Sequence, residues 1–234
     1  PTRTLRNGLA KGYRYFGMAQ TSSRPRILVT GGAGFIGSHT AVALHESGFA
    51  AVIVDDFRNS RQEVIRDIEA ITGDPLEVWP VDCGDADAMR TVFAAPISGA
   101  IHFAADKAVG ESAQHPERYF DNNIGGTARL LAQLRAHQVT QVVFSSSCTV
   151  YGEAEYCPVD ESAPILPAAS PYGYTKQACE RLMQDSHAAS EGTMGVAILR
   201  YFNPIGAHPS GRIGELPLGP PANLVPYLTQ AVAG

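Results

Sequence analysis

The chain is 234 residues long and 44% hydrophobic, enough to bury a sizeable core, yet no apolar run in it is long enough to cross a membrane. Its net charge of −5 hides an asymmetry: residues 1–26 carry six basic side chains and no acid, leaving 12 basic against 23 acidic groups elsewhere, a balance that argues against a nucleic-acid surface. Four cysteines without paired spacing (Cys83, Cys148, Cys157, Cys179) and histidines in no HxH or HExxH arrangement indicate no metal site and suit free thiols in a reducing cytoplasm.

Residues 1–25 read as a basic tail, disordered or not native. Its composition loosely suits a transit peptide, while MAQTSSRPRILVTGG makes Met18 the simpler natural start. RILVT (26–30) then reads as a strand, followed by a helix from about Gly34 to Glu46 that Gly48 stops. AAVIVD (50–55) is a second strand, and RQEVIRDIEAI (61–71) places apolar residues at helical spacing. LEVWPVD (76–82) and AIHFAA (100–105) are further strands, and PERYFDNNIGGTARLLAQLRAH (116–137) is one long helix. QVVFSSS (141–147), YGYTKQACERLMQDSHAA (172–189) and GVAILRYF (195–202) continue as strand, helix and strand. Short apolar strands alternating with helices predict an α/β fold, a Rossmann-like doubly wound parallel sheet with right-handed crossovers.

TGGAGFIGSH puts Gly31, Gly34 and Gly37 between the first strand and the first helix. Glycines lower stability through backbone entropy, and room for a phosphate at the helix N-terminus is a gain that offsets this. A turn that merely packs closely is the plainer alternative. The spacing is G-x-x-G-x-x-G, not the G-x-G-x-x-G of the simplest dinucleotide fingerprint. Asp55, ending the second strand, can accept both hydroxyls of an adenosine ribose and would repel a 2′-phosphate, which favours NAD over NADP, although Arg58 nearby pulls the other way. Otherwise it is a solvated strand end. Asp82, ending the third strand, is placed for an adenine amino group or for a helix N-cap.

SPYGYTK holds Tyr172 and Lys176 four residues apart at the start of a helix, hence on one face. An ammonium beside a phenol favours the phenolate and lowers its pKa from about 10, so that it can take a proton from a sugar hydroxyl. Ser147, ending the fifth strand, can bond the same hydroxyl. The alternative is a packing tyrosine with a surface lysine.

VTGGAGFIGSHT, IHFAADKAVGES, YFDNNIGGT, FSSSCTVYG, SPYGYTK and RYFNPIGAHPSG lie within a region, 27–234, that nearly throughout resembles the extended short-chain dehydrogenase/reductase family in its UDP-hexose 4-epimerase branch. The resemblance implies that Tyr172 is the catalytic base, Lys176 its activator and nicotinamide-ribose ligand, and Ser147 the hydroxyl partner. It implies a NAD site lined by Gly31, Gly34, Phe35, Ile36, Gly37, Asp55, Asn59 and Ser60. Asp82, Cys83, Phe103, Ala104, Lys107, Asn122 and Phe202 would complete that site together with Tyr172 and Lys176. Asn203, Asn223 and Leu224, with Ser147 and Tyr172, would hold the UDP-hexose. The implied reaction is inversion at C4 through a transient 4-keto sugar, as in UDP-glucose/UDP-galactose interconversion, in a cytoplasmic homodimer. Residues 26–205 would be the NAD-binding domain and 206–234 the start of a substrate-binding region whose remainder lies beyond Gly234.

Two stretches depart from the family pattern. Ala105 and Asp106 stand where a small apolar pair is usual before Lys107, and Ala222 replaces an asparagine beside Asn223. A carboxylate at Asp106 is expected to weaken NAD binding unless it points outward, and Ala222 to loosen the uridine contacts. A 4,6-dehydratase is disfavoured, because Cys148 and Thr149 stand where it needs an acid and a base. An epimerase or decarboxylase acting on another UDP-sugar stays open. A non-catalytic NAD-sensing protein is disfavoured by the presence of both Tyr172 and Lys176.

Overall fold

The computed structural model describes residues 24–219 and 223–233; the basic tail up to residue 23 and Ala222 lie outside them. β1 (Arg26–Thr30) runs into α1 (Phe35–Glu46), then β2 (Ala50–Val54), α2 (Glu63–Thr72), β3 (Glu77–Trp79), α3 (Ala86–Val92) and β4 (Gly99–His102). α4 (Val109–Gln114) and α5 (Pro116–Tyr119) lead through a π-helical segment, Phe120–Gly125, into α6 (Gly126–Ala136). β5 (Gln141–Ser147) ends in a 3-10 turn, Cys148–Tyr151, before α7 (Pro171–Ala189), β6 (Gly195–Tyr201) and α8 (Leu224–Ala233).

The strands form one sheet in the order β3-β2-β1-β4-β5-β6, every neighbouring pair parallel. The order reverses between β1 and β4, and a crevice opens there at the carboxyl ends of the strands. Alternate residues of the inner strands feed two cores. Leu28, Val52 and Val54 pack with Met89, Leu130, Leu134 and Met183 on one face. Val29, Ala51 and Ile53 pack with Ala41, Val42, Ile65 and Ile68 on the other. Helices on both faces explain why these strands are apolar throughout rather than alternating.

Three expectations need correction. β3 spans only Glu77–Trp79, because Pro80 has no N–H to continue the ladder. The helix expected over 116–137 is interrupted at FDNNIG by the π-helical segment, where two asparagines and a glycine hold an α-helix weakly. Asp82 is not a helix cap: Asp85 caps α3 by accepting the N–H groups of Asp87 and Ala88 at 3.0 and 3.1 Å. The Asp82 carboxylate instead takes the N–H of Gly84 at 2.8 Å.

Gly37 shows why the first turn of α1 needs a glycine where it crosses the turn after β1. A Cβ there would overlap the carbonyl oxygen of Gly31 and lie 2.7 Å from the Gly32 Cα, and backbone cannot move aside as a side chain can. Gly37→Ala is therefore expected to destabilise the fold by about 1–3 kcal/mol. Gly126→Ala is the control, since a Cβ at this position in α6 meets nothing within 4 Å, and it should be neutral or slightly stabilising. Denaturant midpoints of the two variants check the contrast.

Candidate functional site

The turn after β1 lies at the crevice. Gly31 has φ 68°, a left-handed conformation, and donates its N–H to Val54 at 2.8 Å. A Cβ at Gly31 would lie 2.8 Å from the Ala104 nitrogen, so this turn packs directly on the chain leaving β4. α1 then begins with Gly34 as N-cap, with no side-chain cap and no acid in the first turn. The orphan N–H groups of that turn, together with the helix dipole, suit an anion.

Asp55 is no solvated strand end. It is buried, and its carboxylate accepts N–H bonds from Ala33 at 2.9 Å and Phe57 at 3.0 Å and the Ser60 hydroxyl at 2.8 Å. Burial raises its pKa, and these three donors oppose that rise. The carboxylate thus shapes the glycine turn and its own loop at once. Asn59 and Asp82 are exposed beside them. Cys83 faces the core instead, its thiol pushed up to about 12 by burial.

The second half of the site depends on strand length. β4 and β5 pair His102 with Phe144, so Ser147 stands three residues, about 10 Å, past the end of β4. Its hydroxyl accepts the N–H and the hydroxyl of Thr149 at 3.2 and 3.0 Å. Pro171, in the first turn of α7, and Ser170, which caps Gly173 N–H at 3.1 Å, start the helix at this level. Tyr172 is buried there, its N–H on the Ser112 hydroxyl at 3.1 Å. Burial raises the Tyr172 pKa, while the neighbouring Ser147 hydroxyl lowers it. The expected drop caused by Lys176 is not what the site shows. The Lys176 ammonium lies 5.9 Å from the Tyr172 ring centroid and donates to the Ser145 carbonyl at 2.8 Å, so burial dominates. Nor is it a surface lysine: it is buried and pulled down to about 8 by desolvation.

The remaining expected residues are scattered. Phe35, Ile36, Phe103 and Ala104 are half-buried around the crevice, and Asn122 sits in the π-helical segment. Lys107 approaches Glu215 at 3.9 Å, and Asn223 donates to the same carboxylate at 2.6 Å. Phe202, Asn203 and Leu224 are exposed, with no enclosing wall among the described residues.

A profile of the NAD dependent epimerase/dehydratase family matches residues 27–218. The chain belongs to this family. Among its relatives, a UDP-glucose 4-epimerase of Bacillus subtilis (strain 168) is 49% identical over 209 residues, covering 89% of this chain and 61% of that protein. The crystal structure of UDP-glucose 4-epimerase from Bifidobacterium longum in complex with NAD+ and UDP superposes with a TM-score of 0.86 at 43% identity, covering 89% of this chain and 62% of that one. A second, from Stenotrophomonas maltophila with bound NAD and formylated UDP-arabinopyranose, gives 0.85 at 46% identity, covering 90% and 62%. The chain therefore spans about three fifths of the length of these family members.

Asp106, a departure from the family pattern, is not a bare charge beside the crevice. It is buried, with Arg118 Nε at 3.1 Å and Arg58 Nη2 at 3.6 Å. Sequence reasoning also missed the group behind α7. Buried Glu180 accepts the Ser146 hydroxyl at 2.5 Å and Arg200 at 3.0 and 2.8 Å, and Arg200 stacks on Tyr151. Glu180 lies one turn beyond Lys176 in the same helix, a spacing that could have flagged it.

A lysine pulled down to about 8 has a stability consequence with a definite sign. The unfolded chain keeps this proton up to about 10.5, so between those values it binds more protons than the folded chain, and stability rises with pH across that window. Below pH 8 the burial penalty is fully present. Lys176→Met is expected to raise thermal stability at pH 7 and to lose that advantage towards pH 10.5, in unfolding scans at several pH values. A variant less stable than the parent at pH 7 would show that the ammonium's bond to Ser145 outweighs its desolvation.

Proposed function

We propose that this chain carries the cofactor half and the catalytic groups of a UDP-hexose 4-epimerase, interconverting UDP-glucose and UDP-galactose with NAD as resident cofactor. The observation that carries this reading is one crevice with an anion-ready helix N-terminus and a ribose-sized carboxylate site at one end, and Ser147 against Tyr172 over a buried lysine at the other. The residues fit a dinucleotide: the uncapped first turn of α1 would take its phosphates, Asp55 the adenosine ribose and Asp82 the adenine amino group. Bound NAD would supply a reversible hydride acceptor for the sugar's C4. The NAD+, UDP and UDP-sugar named for the two structural relatives support the same pairing.

Tyr172, assisted by Ser147, would take the proton of the sugar's 4-hydroxyl and give it back. A pKa held above that of a carboxylate suits the returning half of that exchange, because the same group must serve as base and then as acid. Lys176 keeps a positive charge under the site and fixes the end of β5 through Ser145. Asn203, Asn223 and Leu224 would meet the nucleotide end of the substrate, with 26–205 as the NAD-binding domain and 206–234 opening the substrate-binding region. Exposed Phe120 and Tyr174, edge to face at 5.8 Å, offer an apolar face for the homodimer. Free thiols at Cys83, Cys148, Cys157 and Cys179 suit the cytoplasm, and no described helix is long and apolar enough to cross a membrane.

Tyr172→Phe in the full-length protein is expected to keep cofactor and UDP-sugar binding and to lower kcat roughly 10²- to 10⁴-fold. Near-normal turnover in that variant would assign the proton to another group. NAD should bind far better than NADP, and Asp55→Ala should narrow the gap by removing the charge that repels a 2′-phosphate. Titration of both nucleotides against both proteins decides it, and equal affinities in the parent would contradict the role of Asp55.

A further inference from the structure

Arg58 leaves the loop after β2 and reaches the opposite wall of the crevice. Between the two walls lies β1 with its glycine turn, so the side chain bridges two strand spacings, about 10 Å. The loop it springs from is curled tightly, since Asp55 Oδ1 accepts both Phe57 N–H and the Ser60 hydroxyl. On the far side its Nη2 donates to Asn122 Oδ1 at 2.5 Å and lies 3.6 Å from Asp106 Oδ1. At its base, Nε lies 3.3 Å from Asp56 Oδ2. Nη1 has no partner among the described residues. Asp106 is itself held in place: Arg118 donates to its other oxygen at 3.1 Å, and its backbone N–H and carbonyl are bonded by the Asn123 side chain at 2.8 and 2.9 Å. Asp106 is thus a fixed anionic post, and Arg58 a half-exposed cation tethered to it by one long contact that can break and re-form.

We propose that Arg58 is a clasp for the bound dinucleotide, closing across the groove with Asp106 as its anchor, so that cofactor release requires the Arg58 tether to open. The free Nη1 donors suit the oxygen atoms of a ribose or bridging phosphate passing beneath. In this role the acid at position 106 strengthens cofactor retention. That reverses the expectation that a carboxylate here weakens binding, because its charge is spent on two arginines. The clasp presupposes the NAD site proposed above.

Stopped-flow release of NADH, followed by its fluorescence in the full-length protein, tests the clasp. Arg58→Ala should release NADH roughly tenfold faster with a matching rise in Kd, the size of one lost charge-assisted bond. Asp106→Leu should move both in the same direction, and Arg58→Lys should fall between parent and alanine variant. Thermal unfolding of each variant confirms that the fold is kept; Arg58 is exposed enough that its loss should leave the melting temperature nearly unchanged. Unchanged release from Arg58→Ala, tighter binding in either variant, or equal increases in association and release that leave Kd constant would each overturn the clasp while leaving the NAD site standing. A parent protein that binds no NADH would overturn both.

Discussion

The side-chain amide of Asn123 joins the two halves of the crevice. Its oxygen accepts the N–H of Asp106 at 2.8 Å, and its nitrogen donates to the Asp106 carbonyl at 2.9 Å and the Thr175 hydroxyl at 3.0 Å. Thr175 in turn donates to the carbonyl of Tyr172 at 2.7 Å. The loop after β4, against which the glycine turn packs, is thereby locked to the helix that carries the phenol and the lysine. Asn123 is buried, so losing its amide would strand the N–H and the carbonyl of Asp106 away from water, at about 1–3 kcal/mol each. The π-helical segment is the local structure that presents this asparagine. Such segments are rare and often stand at functional sites, which fits a place where the loop after β4 and α7 keep one spacing.

Around that joint the protein buries charge that a stability-driven core would avoid. Among the described residues Lys176 bonds a carbonyl and no carboxylate, with its ammonium 5.0 Å from the Phe144 ring centroid, and it helps to hold buried His102 neutral, with a pKa lowered to about 3 chiefly by desolvation. His102 is bonded on both ring nitrogens, by Thr30 and Thr127, which fixes β1 against α6. Glu180 with Arg200 is the compensated counterpart: a two-point ion pair that pins α7 to β6, of the kind that is destabilising to break and not clearly stabilising to have. A buried lysine with no carboxylate bonded to it among the described residues thus lies one turn from an ion-paired glutamate.

Much of this was legible in the sequence, for physical reasons that differ by element. Strands announce themselves as apolar runs, so β1, β2, β5 and β6 fall within a residue of where composition puts them, whereas β4 ends at His102, three residues short of the expected 105. The glycine turn was legible because only glycine fits the approach of Gly31 to Ala104 and of Gly37 to Gly31. The short α3 and α4 carried too little periodicity to be seen, and the π-helical segment reads as ordinary helix because its flanking residues keep helical spacing on both sides. Spacing put Tyr172 and Lys176 on one face correctly, but it could not tell that the ammonium would turn to Ser145 and leave the phenol's pKa to burial. Asp106 looked like a defect for the same reason: its partners Arg58 and Arg118 lie 48 residues before it and 12 after, and only the fold brings them together.

The proposed activity demands that the hydrogen removed from the sugar carbon return to that carbon without meeting water, and with the opposite configuration. UDP-galactose deuterated at C4, incubated with the full-length protein and analysed by NMR and mass spectrometry, tests it directly. The account predicts UDP-glucose that retains the deuterium at C4, at a rate that falls with Tyr172→Phe. Product carrying hydrogen from solvent at C4, or no isomerisation at all by an intact, NAD-loaded protein, would contradict it.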